Sequence, residues 1–214
     1  SRLVKQIHAF EPFPKALERF QHHVELNQIH NIRLHSVGLS DTNENLTFYA
    51  PQSRNQGIGS FDPSTMQKGN VASEKLEVVK GDDYFTKMKI NCLDIVKLDV
   101  EGFEKKVLVG MQRVLMKHRP IIVCEVSYGK EVSFNSIQQL RETLPEEYQL
   151  FTFNTRKPDG SKARKRGAKA RKTGTYQLVP FIQWRLSGQD NVIACPKEKQ
   201  RILPMQGIGR IAVP

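Results

Sequence analysis

Three carboxylates in this chain stand at spacings that could serve proton transfer. In Lys97-Leu98-Asp99-Val100-Glu101-Gly102-Phe103-Glu104, two acids and a glycine fall where an apolar run gives way to a helical pattern. Asp99 and Glu101 alternate to one side of an extended backbone, so their side chains can converge. An unpaired buried acid is costly, so Asp99 at such a tip implies a cation, a donor or a ligand nearby. Together with Glu125, at the end of the next apolar run, Asp99 and Glu101 are candidates to orient or deprotonate a hydroxyl. Lys97 is a weaker candidate. A divalent cation held by these acids is the less favoured reading, and no metal is assigned. Glu104 lies a turn further on, where a helix N-terminus stabilises an acid.

Two other positions suit a nucleoside. Glu11 directly follows the run ending in Phe10. An acid at such a strand tip can accept both hydroxyls of a ribose, or it can merely favour the N-terminus of the helix that follows. Gly38 closes the next extended run and leaves room for a flat base, or is a plain turn glycine. The fold rule that ligands of open α/β sheets sit beyond the carboxyl ends of the strands makes these positions worth comparing.

The elements that must position them alternate. Leu3 to Phe10 reads as a strand, and Lys15 to Leu26 as a helix with Ala16, Leu17, Phe20 and Val24 on one stripe. Ile32 to Val37 reads as a strand. Leu46–Ala50 and Leu76–Val79 have the alternation of an antiparallel pair, around a polar loop of roughly residues 52–73 that suits a lid. A short helix is expected from Asp82 or Asp83 to Met88, and a strand from Leu93 to Val100. One longer helix carries Val107, Leu108, Met111 and Leu115 up to Arg119-Pro120. Ile121 to Val126 reads as a doubly buried strand. A helix over Ser133–Leu144 and strands over Tyr148–Phe153 and Asp190–Cys195 complete the pattern, the last two pairing antiparallel at a sheet edge. The sum is an α/β fold with a mostly parallel sheet and helices on both faces. The main domain is expected over residues 1–198, with 199–214 as a C-terminal tail.

Bulk properties narrow the classes. The 214 residues suit one α/β domain, and no apolar run approaches the ~20 residues of a membrane helix. Ser1 to Gln6 lacks the core of a signal peptide. Cys92, Cys124 and Cys195 have no metal or redox spacing and read as reduced thiols, which points to a reducing, cytoplasmic compartment. The six histidines show no zinc spacing, and surface or capping roles are expected of them. Of the net charge of +11, Arg156–Lys172 carries +8 from nine Lys/Arg against one acid, leaving +3 for the rest. This insertion has no aromatic residue between its charges, so phosphate attraction is what it offers. A solvated insertion, an anchor for nucleic acid or an anionic surface, and a nuclear-localisation-like signal are its three readings.

Ala9-Phe10-Glu11-Pro12-Phe13-Pro14, Glu25-Leu26-Asn27, Gly38-Leu39-Ser40-Asp41, Lys97 to Gly102 with Glu104, Val107-Leu108 and Gly110, and Arg119-Pro120-Ile121 with Glu125 follow one another in order. Together they resemble the successive blocks of the FkbM methyltransferase family over roughly residues 4 to 126. Asp190–Ala194 is similar to its last strand. The resemblance implies a Rossmann-like class I methyltransferase fold. It also implies transfer of a methyl group from S-adenosylmethionine, usually to a hydroxyl of a sugar, lipid or natural product. By it, Glu11 holds the ribose with Pro12 beside it, Gly38 and Leu39 border the adenine, and Asp99 faces the methionine end or the acceptor. The family's first strand and glycine-rich Asp-x-Gly-Ala-Asn-x-Gly loop have no counterpart in these residues. The rival expectation, from another class, is a nonenzymatic nucleic-acid-binding module that uses the basic tract 156–172 on a degenerate methyltransferase scaffold.

Overall fold

The computed structural model describes residues 4–52, 59–129, 133–153 and 178–203. The basic tract 156–172 and most of the expected tail lie outside them. The first half of the chain opens with strand β1 (Ile7–Phe10), helix α1 (Pro14–Leu26) and strand β2 (Ile32–His35). Pro14 starts α1, where its fixed φ suits a first helical residue. Phe13 supplies no side-chain cap, and the Glu11 carboxylate accepts the Phe13 N–H instead, at 2.9 Å. β1 and β2 pair in parallel, Ile7 opposite Ile32 through Phe10 opposite His35, as a two-stranded sheet.

Strands β3 (Gly38–Ser40), β4 (Glu44–Pro51) and β5 (Asn70–Lys80) form a second sheet, in the order β3-β5-β4. β4 and β5 are antiparallel, as their alternation predicts, with a register shift between Thr47 and Tyr49. The intervening stretch is less of a loop than the sequence suggests. Pro63–Lys68 is a 3-10 helix capped by Asp62, and β5 begins at Asn70.

The remaining elements are α2 (Gly81–Lys87), β6 (Ile95–Leu98), α3 (Glu104–Gly110), α4 (Gln112–His118), β7 (Ile121–Tyr128), α5 (Ile137–Glu142), β8 (Tyr148–Phe153), β9 (Leu178–Pro180) and β10 (Gly188–Pro196). The single helix expected over 104–118 is two, broken at Met111. Gly110 lies so close to the Ser40 carbonyl that no side chain fits there. Beyond the break, Asp82 accepts the N–H groups of Arg113 and Val114 at 3.0 and 2.9 Å, giving α4 its own N-terminal cap.

The third sheet has the order β6-β7-β10-β8-β9. Only β6 and β7 are parallel in it. β10 runs antiparallel between β7 and β8, so it is interior, and β9 takes the edge expected of the last strands. Among the described residues three strand pairings are parallel and four antiparallel, which replaces the expected mostly parallel sheet with a mixed α/β arrangement.

The main core lies on one face of this sheet. Leu98, Ile122, Cys124 and Val126 pack there with Val107, Leu108, Met111 and Leu115 from α3 and α4. Ile121, Phe151, Leu178, Ile193 and Cys195 form a smaller cluster on the other face. The 3-10 turn Lys197–Ile202 is fastened to the body by Lys199 Nζ, which donates to the Arg119 carbonyl at 2.6 Å. Among the described residues no helix is long and apolar enough to cross a membrane.

Candidate functional site

The parallel pairing of β6 and β7 brings the predicted acids together. Leu98 lies opposite Cys124, so Asp99, the next residue, emerges beside Glu125. Asp99, Glu101 and Glu125 each bring one carboxylate oxygen within 4.8 Å of the others. A cation could bridge such oxygens, but exposed acids cluster in this way without one, and no metal is assigned. Asp99 is not the buried acid expected from its flanks. Its side chain is 55% exposed, with Lys97 Nζ at 2.9 Å as its counter-ion. Both side chains stand on the open face of an edge strand, where water reaches them.

Glu101 and Gly102 turn the chain from strand into helix with left-handed backbones, φ of 51° and 104°. Glycine adopts this freely, whereas a glutamate there holds strain that its surroundings must offset. Two contacts hold it. Glu104, fully buried, accepts the N–H groups of Val100 and Gly102 through Oε1 at 3.1 and 3.2 Å. Ser60 Oγ donates to the Glu101 carbonyl at 3.1 Å. Glu104 is therefore the structural brace that its helix-start position suggests.

Glu125 is half-buried on β7. Burial raises its carboxyl above the ordinary range, and the charges of Asp99, Glu101 and Glu104 add to this against the opposing Lys97. Gln189 Nε2 donates to Glu125 Oε1 at 2.7 Å and to Ser127 Oγ at 3.3 Å.

Of the nucleoside-type positions, Glu11 follows the carboxyl end of β1, whereas Gly38, expected to close a strand, opens β3 and Leu39 is its second residue. Glu11 is partly buried, and burial raises its carboxyl while the Phe13 N–H opposes this. Its Oε2 carries no hydrogen bond to the described residues. Gly38 does not present an open face. A side chain there would meet Val78, Phe61 and Pro12 at 3.1, 3.3 and 3.5 Å, so the glycine serves close packing. Leu39 is partly buried against the main core. A chain of contacts joins the two groups of residues: Pro12 and Phe61 cover Gly38, and the Phe61 ring lies 5.4 Å from that of Phe103. Two surface cavities formed by described residues lie elsewhere. One of about 600 Å³ is bordered by Arg141, Tyr148 and Phe181, and one of about 490 Å³ by Phe85, Lys89 and Lys117.

Sequence reasoning missed several of these residues. Gln189 reaches Glu125 only through the register of β10 on β7, which pairs it with Ser127. Ser60 and Phe61 lie in the stretch read as a lid-like loop, in which neither residue was singled out. His35, expected at the surface, is 4% exposed; its Nε2 lies 2.9 Å from His8 Nδ1 and its Nδ1 2.9 Å from the Tyr84 hydroxyl. The signal was there in part, since His8 and His35 each sit in an alternating strand on the side of Phe10.

The family model described as the methyltransferase FkbM domain matches residues 3–152. A curated protein named Methyltransferase 1, from Beauveria bassiana (strain ARSEF 2860), is 27% identical over 118 residues, which is 48% of this chain and 47% of that protein. The crystal structure of Methyltransferase FkbM from Methylobacillus flagellatus KT is similar at 14% identity and a TM-score of 0.48, over 89% of this chain and 36% of that one. The chain thus spans about half the length of the curated relative and about a third of the solved one.

Proposed function

The chain belongs to the FkbM methyltransferase family, and on that premise we propose that it moves the methyl group of S-adenosylmethionine onto a hydroxyl of a sugar, lipid or other small acceptor. The carrying observation is the meeting of the Asp99, Glu101 and Glu125 carboxylates within 4.8 Å, where the carboxyl end of β6 lies beside Glu125 of β7. We read the parallel pairs β1–β2, β3–β5 and β6–β7 as parts of a Rossmann-like class I methyltransferase frame.

The ribose end of the donor has a fitting partner. Glu11 is partly buried, one of its oxygens is bound to Phe13 N–H, and the other accepts no hydrogen bond from the described residues. In this reading Glu11 accepts the ribose hydroxyls. Leu39 and Pro12 border the base, and Gly38 keeps the two segments that carry them closely packed. S-adenosylmethionine supplies an electrophilic methyl group, so alignment of the acceptor is the larger part of what the protein must add.

The acids then divide the work by environment. Glu125 is the better proton acceptor, because burial and three neighbouring acids move its carboxyl toward neutral pH. Asp99, exposed and paired with Lys97, is suited to hold the acceptor by hydrogen bonds rather than to take its proton. Glu101, fixed by its left-handed backbone, completes the acidic edge.

Calorimetry of the full-length protein with S-adenosylhomocysteine tests the reading. The wild type should bind, and Glu11→Gln should weaken binding by about ten- to a hundredfold, the range expected from a lost charge-assisted hydrogen bond. Absence of binding in the wild type, or equal affinity in the variant, would sink it.

A further inference from the structure

We infer that Gln189 is a positioning residue for Glu125, fixing which carboxylate oxygen faces the neighbouring acids and holding the group in its anionic form. The inference rests on the reading of Glu125 as the proton acceptor. It starts from strand register. In the antiparallel pair, Gln189 lies opposite Ser127 and Asn191 opposite Glu125, so the Gln189 side chain reaches one diagonal step along the ladder to Glu125. Such diagonal neighbours are within reach of a long side chain.

The contact is short and one-sided in its chemistry. An amide N–H can only donate, and at 2.7 Å it engages Oε1 of Glu125. The same nitrogen lies 3.3 Å from Oγ of Ser127, which is 1% exposed. Glu125 otherwise faces a predominantly negative edge, with Asp99, Glu101 and Glu104 on one side and Lys97 as the opposing cation. Without a donor on the β10 side, that repulsion would favour a protonated carboxyl or a rotamer turned away. Gln189 supplies a donor without adding a charge that would draw the acid back to an ordinary carboxylate. A lysine or arginine there would fix the rotamer but lower the basicity needed for proton abstraction.

Carbon-13 NMR of the full-length protein, with its glutamate carboxyls labelled and the Glu125 signal assigned from Glu125→Gln, reads this directly. In Gln189→Leu the Glu125 titration midpoint should rise by about one pH unit, the size expected when an anion loses one good donor. Gln189→Asn, which keeps the amide but withdraws it by one methylene, should show a smaller rise and serves alone where the leucine variant does not fold. An unmoved midpoint in a folded variant overturns the inference. S-adenosylhomocysteine binding on the same samples separates the two levels. A moved midpoint with no binding in any sample removes the transferase reading and leaves the positioning. Binding with an unmoved midpoint does the reverse.

Discussion

The α-carbon of Gly110 rests directly on the carbonyl of Ser40, and this contact divides what would be one helix into α3 and α4. A methyl group at position 110 would have to displace backbone. Gly110→Ala should therefore destabilise the protein by about 3 kcal/mol, at the upper end of overpacking effects. Urea denaturation gives the number, and a variant as stable as the wild type would disprove the contact.

Asp82, 4% exposed, caps a helix that is not its own. Removing its carboxylate leaves the N–H groups of Arg113 and Val114 without this acceptor, while the Arg113 guanidinium keeps its shorter ion pair with Asp83 at 2.8 Å. Asp82→Ala should cost about 2 kcal/mol, whereas Asp82→Asn, which keeps an acceptor, should cost less. Thermal melts of the two variants side by side would show the order, and equal losses would contradict it.

His8 and His35 both have their pKa lowered, first by burial; for His8 the charge of Arg33 adds to this, and for His35 the charges of His8 and Arg33. The folded protein therefore binds fewer protons at this pair than the unfolded chain does. Stability from the neutral pair is present above about pH 6.5 and is lost as the pH falls below it. The Tyr84 hydroxyl and the Phe10 ring face the same imidazoles, and Glu77 lies near Tyr84. Urea midpoints measured from pH 7.5 down to pH 5 should fall. His35→Gln should flatten the curve, and an equally steep curve in that variant would place the titration elsewhere.

For catalysis, the acids predict unequal variants. With any acceptor that the full-length wild type methylates, Glu125→Gln should reduce kcat by about 10²- to 10⁴-fold, the usual span for a lost general base. Asp99→Asn should raise KM more than it lowers kcat, because an exposed, Lys97-paired carboxylate binds rather than abstracts. Steady-state rates decide between them. A Glu125→Gln enzyme with unchanged kcat would return the base to Asp99 or Glu101.

The elements whose periodicity is local were legible in the sequence. The apolar run from Ile121, the stripe of α1 and the alternation of β4 with β5 each appear close to where they were expected. The convergence of Asp99 and Glu101 was legible from their alternation beyond an apolar run, whereas Glu125, inside the next run, joins them only through the pairing of β6 with β7. What escaped depends on distant backbone. The break at Met111 needs Ser40, the buried state of His35 needs Tyr84, and the amide of Gln189 matters only once β10 is paired with β7. The interior place of β10 was hidden too, because an apolar strand reads alike at an edge and between two neighbours.

Glu11 follows the first of two paired strands of four residues each, while Asp99 follows the end of β6 and Glu125 stands within β7 of a five-stranded sheet. No shared ladder sets the spacing between these groups. It is set by packed rings, Phe10 stacked on His35 and Phe85, and Phe61 tilted against Phe103. Trimming one of those rings would thus leave each group of residues correctly formed and the two wrongly aligned. On the proposed reading, such a variant would keep its affinity for S-adenosylhomocysteine and lose turnover, because the methyl carbon would sit off the line of attack.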